Sequence, residues 1–280
     1  MIRFLAFLLL LIGPTPVKAW WEYGHETIAT IAWDHVKPAT RAKIKALIAR
    51  SPALETPTCP IKYIEAASVW ADCIKALGAR FDYSFSWHYQ NADICKPFDL
   101  TAACKEGHCV SRQIDRQVKL LKDSKVPDRE KLIAFAFLTH FVGDLHMPLH
   151  AGDRTDRGGN DVKAAYGLVE GRVNLHLLWD GPLAERAITT PPAGPKGISV
   201  GVNAGEQFQL AAGTTLDWSK ESWEVARTMA YATALDSGPC GDVPALAKVS
   251  DAEIEALVPV VRDQMLRGGL RLARLLDEAL

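Results

Sequence analysis

Two histidine–aspartate pairs, each set four residues apart, constrain this chain more than any other feature. His140 and Asp144 lie in THFVGDLHMPLH (139–150), and His176 and Asp180 in NLHLLWD (174–180). Side chains four apart on a helix stand on one face, one turn above the other. Each pair therefore predicts a helix that offers an imidazole and a carboxylate to one metal ion. His146 points elsewhere, Pro148 removes a backbone donor and ends the helix, and His150 turns back from the loop. Upstream stand His25, Asp72 in WAD, and His88. A lone histidine is more often a packed or solvated side chain, but two such pairs with flanking candidates are not explained that way. Imidazole with carboxylate favours zinc or another first-row ion over calcium or magnesium, which prefer oxygen cages.

The candidates are His25, Asp72, His88, His140, Asp144, His150, His176 and Asp180. A hydrolytic zinc takes typically three protein ligands and keeps one position open, where bound water falls in pKa to about 7. The set is too large for one such ion. It predicts a cluster, the arrangement expected for phosphoester cleavage because the ions can contact both attacking and leaving oxygens.

The rest of the chain reads as helical. Helices are expected over Gly24 to Val36, Arg41 to Ala49, Tyr63 to Leu77 and Val110 to Lys122, then in a long central element opened by Pro127 and running through Met147. Phe81 to Asn91 is aromatic and non-periodic, and is expected to be extended. Arg154 to Asn160, with paired glycines, must be a loop, and strand is limited to a hairpin near Val162 to Val173. Further helices follow over His176 to Ile188 and Trp218 to Leu235, with a Pro/Gly linker from Thr189 to Gly197. A Ser250/Glu253 capping box opens the last helix, which runs to Ala279 with a kink expected at Pro259.

Arg3, the apolar run Phe4 to Ile12, the prolines 14 and 16 and the ending Val17-Lys18-Ala19 read as a secretory signal over residues 1–19, cleaved before Trp20. The run is too short to span a bilayer. The mature chain, 20–280, is then one exported domain with no membrane insertion, secreted or periplasmic; the absence of an NxS/T sequon favours a bacterial host. Without Arg3 and Lys18 it carries 30 basic against 33 acidic side chains, a formal charge of -3, and no basic stripe for duplex binding. Six cysteines in an exported chain favour disulfides over thiolate ligands, with 15 connectivities open and Cys104 with Cys109 the easiest local bridge.

The mature start WWEYGH, the WAD of Asp72, THFVGDLHMPLH, the GGN ending at Asn160 and NLHLLWD together resemble the zinc-dependent single-strand-specific nucleases of the mung bean nuclease type, over nearly the whole mature chain. The resemblance implies an all-α fold and a monomer with three zinc ions. It also implies single-stranded DNA and RNA as substrates, cut to 5'-phosphate products, and often 3'-nucleotidase activity on 3'-nucleotides. Carried over by residue, Asp72, His88, His140 and Asp144 would hold the first zinc, and His150, His176 and Asp180 the second. The amine and carbonyl of Trp20, with His25 and a shared Asp144, would hold the third. Asp72 would orient the attacking water, Lys75 and Asn160 would steady the phosphate, and Tyr89 and Asn91 would bind a base. The resemblance also pairs Cys104 with Cys109 and Cys95 with Cys240, leaving Cys59 with Cys73.

Asn91 departs from the acidic residue frequent at that position. Tyr89 still offers a π-face to any base, but Asn91 both donates and accepts where a carboxylate only accepts, so base preference is open. Two rival readings stand beside the nuclease. A zinc-dependent phospholipase C shares the fold and much of the central motif, but its last ligand is typically Glu where this chain has Asp180. A non-catalytic exported zinc-binding protein would need neither Asp72 as a water-orienting group nor Lys75 and Asn160 as a phosphate clamp.

Overall fold

The computed structural model describes residues 20–280, so the expected signal segment lies outside the described residues. Helices carry the fold and strands are few, as expected of an all-α chain. Helices α1 (Glu22–His35) and α2 (Pro38–Ile48) open it, Pro38 standing in a first turn where its missing N–H costs nothing.

The helix expected over 63–77 is instead broken into α3 (Ile64–Ser68), α4 (Trp70–Cys73) and a 3₁₀ segment, Ile74–Arg80. Ser68 Oγ bonds back to the Glu65 carbonyl at 2.6 Å, a local competitor of the helical ladder, and Cys73 is tied to Cys59 by a disulfide. The segment expected to be extended forms a 3₁₀ turn over Asp82–His88, and only Tyr89 beyond it is extended. Its aromatic rings explain the difference: Trp87 packs edge-on against Phe137 at 5.6 Å and near Phe141 at 6.4 Å, so packing overrides a pattern with no period.

Helix α5 (Val110–Lys122) has the expected bounds. Helix α6 (Asp128–Leu145) has Pro127 as its N-cap and is followed by the short α7 (Pro148–Ala151). From Ala134 to Leu145 every residue of α6 is buried. A helix apolar on all sides belongs at the centre of a domain, and α1, α3, α5 and α14 (Asp251–Ala279) pack around this one. Two apolar clusters flank the centre; α1 serves both, with Ile28 and Ile31 in one and Ala29 and Ala32 in the other.

Strands β1 (Ala92–Asp93) and β2 (Gly152–Asp153) pair in parallel. The expected hairpin forms from β3 (Lys163–Tyr166) and β4 (Val169–Asn174). A third strand, β5 (Ala247–Val249), adds to β3 in parallel; its three residues are too short a run to be read from alternation.

Helix α8 (Leu175–Leu178), a π turn (Trp179–Leu183) and α9 (Ala184–Thr189) follow one another without a break. Pro182, which has no N–H to give, sits inside the π turn. Helix α10 (Gly194–Ser199) begins inside what reads as linker, and α11 (Ala204–Ala211) lies beyond it where no element was expected. Helix α12 (Thr215–Val225) continues through a second π turn, Ala226–Tyr231, into α13 (Ala232–Ala234). The Ser250/Glu253 box caps α14 as expected, and the helix continues through Pro259, which lies on its exposed face. All six cysteines are paired, Cys59–Cys73, Cys95–Cys240 and Cys104–Cys109. Among the described residues no helix is long and apolar enough to cross a membrane.

Candidate metal centre

The eight side chains named above converge, and all are buried. They arrive from α1 (His25), α4 (Asp72), the 3₁₀ turn (His88), α6 (His140, Asp144), α7 (His150), α8 (His176) and the π turn (Asp180). Three groups could each hold an ion: Asp72 with His88 and His140; His25 with His140 and Asp144; and His150 with His176 and Asp180.

In the first group His140 Nε2 lies 2.9 Å from His88 Nδ1, 3.1 Å from Asp144 Oδ2 and 3.7 Å from Asp72 Oδ1, while His88 Nδ1 stands 3.0 Å from Asp144 Oδ2 and 3.6 Å from Asp72 Oδ1. A tetrahedral ion bound at about 2.0–2.1 Å holds its ligand atoms about 3.3 Å apart. The spacing fits. The other oxygen of Asp144 faces His25 Nε2 at 3.4 Å and His150 Nδ1 at 3.6 Å, so one carboxylate touches every part of the cluster. His176 Nε2 meets Asp180 Oδ2 at 3.0 Å. Both nitrogens of His25, Nε2 of His88, Oδ1 of Asp144 and Oδ2 of Asp180 are buried without a hydrogen-bond partner. Buried polar atoms are rarely left so, and here a bound cation would satisfy them.

Backbone carbonyls orient the rings. His140 Nδ1 donates to Ser68 O at 2.6 Å and His176 Nδ1 to Gly158 O at 2.8 Å, which leaves Nε2 of each ring its lone pair. His150 Nδ1 donates to His88 O at 2.7 Å and Gln90 N to His150 O at 2.8 Å, a reciprocal pair that pins the 3₁₀ turn against α7. The broken helix at Val69 thus has a use, because it presents the Ser68 carbonyl to α6.

Electrostatics prepare the set for a cation. Burial pushes His25 and His150 down, and His88 down to about 4, the last helped by Lys75. His140 and His176 go up despite burial because Asp144 and Asp72, or Asp180, attract the charged ring. Burial alone would raise Asp72 and Asp144, but neighbouring cationic groups, His140 first, hold both low. The carboxylates stay ionised at neutral pH.

The residues expected to meet substrate are partly on this cluster. Lys75 Nζ is 2.5 Å from Asp72 Oδ1. Tyr89 and Asn91 are half-buried just beyond His88, with Asn91 at φ 48°, the left-handed region that asparagine tolerates best among side-chain-bearing residues. The amide of Asn160 is tied into its own loop, Nδ2 to Arg157 O at 2.8 Å and Oδ1 to Asn174 Nδ2 at 3.3 Å. Asn174 Oδ1 in turn caps α8, the helix of His176, at Leu177 N. The backbone N of Trp20 donates to Asp180 Oδ1 at 3.0 Å, a candidate ligand of the second group. His146, read as no ligand, is buried with Nδ1 on Val142 O and Nε2 accepting from Arg271.

Two glycines and a loop brace were not legible as site residues. A Cβ on Gly143 would stand 2.5 Å from His25 Nδ1, and one on Gly158, at φ +61°, would stand 2.2 Å from Leu149 O. A glycine inside a helix costs roughly 1 kcal/mol against alanine, which is itself a signal of close approach. The GGN loop is braced by Asp153 Oδ1, which accepts from Gly158 N, and by Asp156 Oδ1, which accepts from Gly159 N and from Tyr231 at 2.6 Å. A surface cavity of about 730 Å³ beside Val202 to Leu210 has no histidine in its wall and lies apart from this chemistry.

An all-helical body with buried, carbonyl-oriented imidazoles around a shared carboxylate defines a multinuclear metalloprotein. A profile of the S1/P1 nuclease family matches residues 20–280, and the chain belongs to that family. It is 26% identical to Nuclease S1 of Aspergillus oryzae over 92% of this chain and 91% of that protein. It is 24% identical to Endonuclease 2 of Arabidopsis thaliana over 96% and 93% of the two chains, and 21% identical to Nuclease P1 of Penicillium citrinum over 92% and 97%.

Proposed function

We propose that this protein is a zinc-dependent nuclease that hydrolyses phosphodiester bonds of single-stranded DNA and RNA to 5'-phosphate products and also acts on 3'-nucleotides. The observation that carries the reading is the convergence of eight buried ligand side chains with Lys75 at the margin of the first group. Its nearest support is the family and relatives that are nucleases and endonucleases, which leave the phospholipase C reading without a relative of its own kind.

The assignment is three zinc ions. Asp72, His88, His140 and Asp144 hold the first; His150, His176 and Asp180 the second; Trp20, His25 and Asp144 the third. Mixed imidazole and carboxylate donors at near-tetrahedral spacing support zinc. Bound there, zinc supplies Lewis acidity toward a phosphoryl oxygen and lowers the pKa of water. The chain's own residues do the rest. Asp72, held ionised, accepts a hydrogen bond from the attacking water and aims it. Lys75 places a point charge against a phosphate oxygen, and Asn160, once its loop contacts yield, donates to another. Tyr89 stacks the base, and Asn91 reads its edge with both a donor and an acceptor. Single strands are preferred because only an unpaired base can reach Tyr89. Three disulfides support export to the extracellular space or periplasm, and the reading is completed by a monomer trimmed of residues 1–19.

Elemental analysis of the mature protein with initial rates on matched single-stranded and duplex oligonucleotides tests the reading. Three zinc ions per chain and much faster cutting of the single strand are expected. A metal-loaded protein inert toward every phosphodiester would overturn it.

A further inference from the structure

Beyond the ligand cluster the 3₁₀ turn Asp82–His88 turns aromatic rings outward. Phe85 and Tyr83 are 59% and 52% exposed, a large fraction for apolar rings so close to buried histidines. Phe85 adjoins the site directly: Lys75 Nζ lies 5.6 Å from its ring centroid, and the same ammonium touches Asp72. Tyr83 continues outward, edge-on to Trp87 at 5.2 Å, and Arg116 lies over Trp87 at 5.3 Å. On its other side Tyr83 tilts against Phe81 at 6.4 Å, over which Arg80 lies at 5.0 Å. The Tyr83 hydroxyl is pushed up by burial and by Glu130, and pulled the other way by Arg116, Arg129 and Arg80. Glu130 itself is tied to Arg129 at 2.7 Å. In a chain of formal charge -1, Lys75, Arg80 and Arg116 each lie over a ring of this aromatic stretch, and two of its rings are left exposed.

We propose that Phe85, Tyr83 and Arg116 form a track that carries the single strand away from the metal centre, stacking the nucleotides next to the scissile phosphate. The proposal rests on the nuclease reading and deepens it. At about 2.0 Å of rise per residue in a 3₁₀ turn, Phe85 stands roughly 6 Å and Tyr83 roughly 10 Å along the axis from His88, so the two rings lie successively farther from the metal ligands. Stacked rings with arginines beside them bind any base through its π-face and any phosphate through its charge. Among the described residues the ring contacts of these two are few: Phe85 has the Lys75 ammonium, and Tyr83 has Trp87 edge-on and Phe81 tilted against it.

The test is a ratio, kcat/KM for a decanucleotide over kcat/KM for a dinucleotide, measured on wild type, Phe85→Ala, Tyr83→Ala, the double variant and the conservative Phe85→Trp. Wild type is expected to favour the longer strand. The double variant should lower the ratio by about tenfold or more, Phe85→Trp should preserve it, and Arg116→Ala should reduce the salt dependence of decanucleotide binding. An internal ratio is insensitive to partial misfolding or metal loss. If wild type cuts both substrates and the double variant leaves the ratio unchanged, the track is wrong while the nuclease reading stands. If wild type cuts neither, the nuclease reading falls and the track with it.

Discussion

Gly143 and His25 are in contact across the α1–α6 boundary, so closely that a Cβ on Gly143 would lie 2.5 Å from His25 Nδ1. His25 stacks on His140, three residues before that glycine, at 4.1 Å and faces Asp144, the residue after it. Gly143→Ala should therefore expel the His25 ring and cost one zinc of three. Alanine gains roughly 1 kcal/mol of helix propensity, so the helix itself should survive. Zinc counting and circular dichroism on the variant check this; full zinc occupancy would mean the contact relaxes without consequence.

Asp72→Asn removes the ionised oxygen that faces Lys75, His88 and His140. The helical fold should remain while turnover falls by about 10²–10⁴, the range ascribed to positioned acid–base groups. Lys75→Ala should raise KM for phosphodiesters with zinc content unchanged. Wild-type turnover in the first variant at full zinc, or zinc loss in the second, would contradict the assigned roles.

The proposed role of the Trp20 amine as a ligand requires a chain trimmed before Trp20. Trp20 is fully buried, with Nε1 on the Gly143 carbonyl at 2.9 Å and its backbone N at Asp180. A free amine, of ordinary pKa about 7.7–8.0, can lose its proton to a metal near neutrality, whereas a peptide nitrogen cannot replace it. Protein produced with Met joined directly to Trp20 should fold, bind one zinc fewer and lose much of its rate. Mass spectrometry of the terminus with metal counting on both forms decides it.

In the metal-free protein His88 should cost stability in acid. His88 titrates at about 4 in the folded chain, below its ordinary 6.5, because burial and then Lys75 oppose its charge. The unfolded state therefore binds the extra proton first, and the stability that His88 contributes is present above pH 6.5 and lost as pH falls toward 4. His25 and His150, also pushed down by burial, act in the same sense, while His140 and His176, pushed up by their carboxylates, act against it. Urea titrations of chelator-treated protein from pH 7 to 4.5 should therefore show His88→Asn losing less stability toward acid than wild type. An identical pH slope in the two proteins would refute the shift.

Sequence by itself determined what is local. Pro127, the Ser250/Glu253 box and the amphipathic run over 110–122 placed helix ends within a residue or two, because caps and periodicity act over a single turn. The four-residue spacing put His140 with Asp144 and His176 with Asp180. Only the tertiary structure decided what those pairs meet. Asp72 comes from a segment read as one unbroken helix and His88 from one read as extended, and both readings failed, since a break at Val69 and an aromatic 3₁₀ turn answer to packing on α6 and not to their own propensities. Spacing along the helix already turned His146 away from the pair and brought His150 back from the loop, but what each ring meets was not in it. Arg271, arriving from α14, donates to His146, while His88 and Asp144 face His150. Contacts between residues more than a hundred positions apart depend on how helices pack, and no periodicity along the chain encodes that.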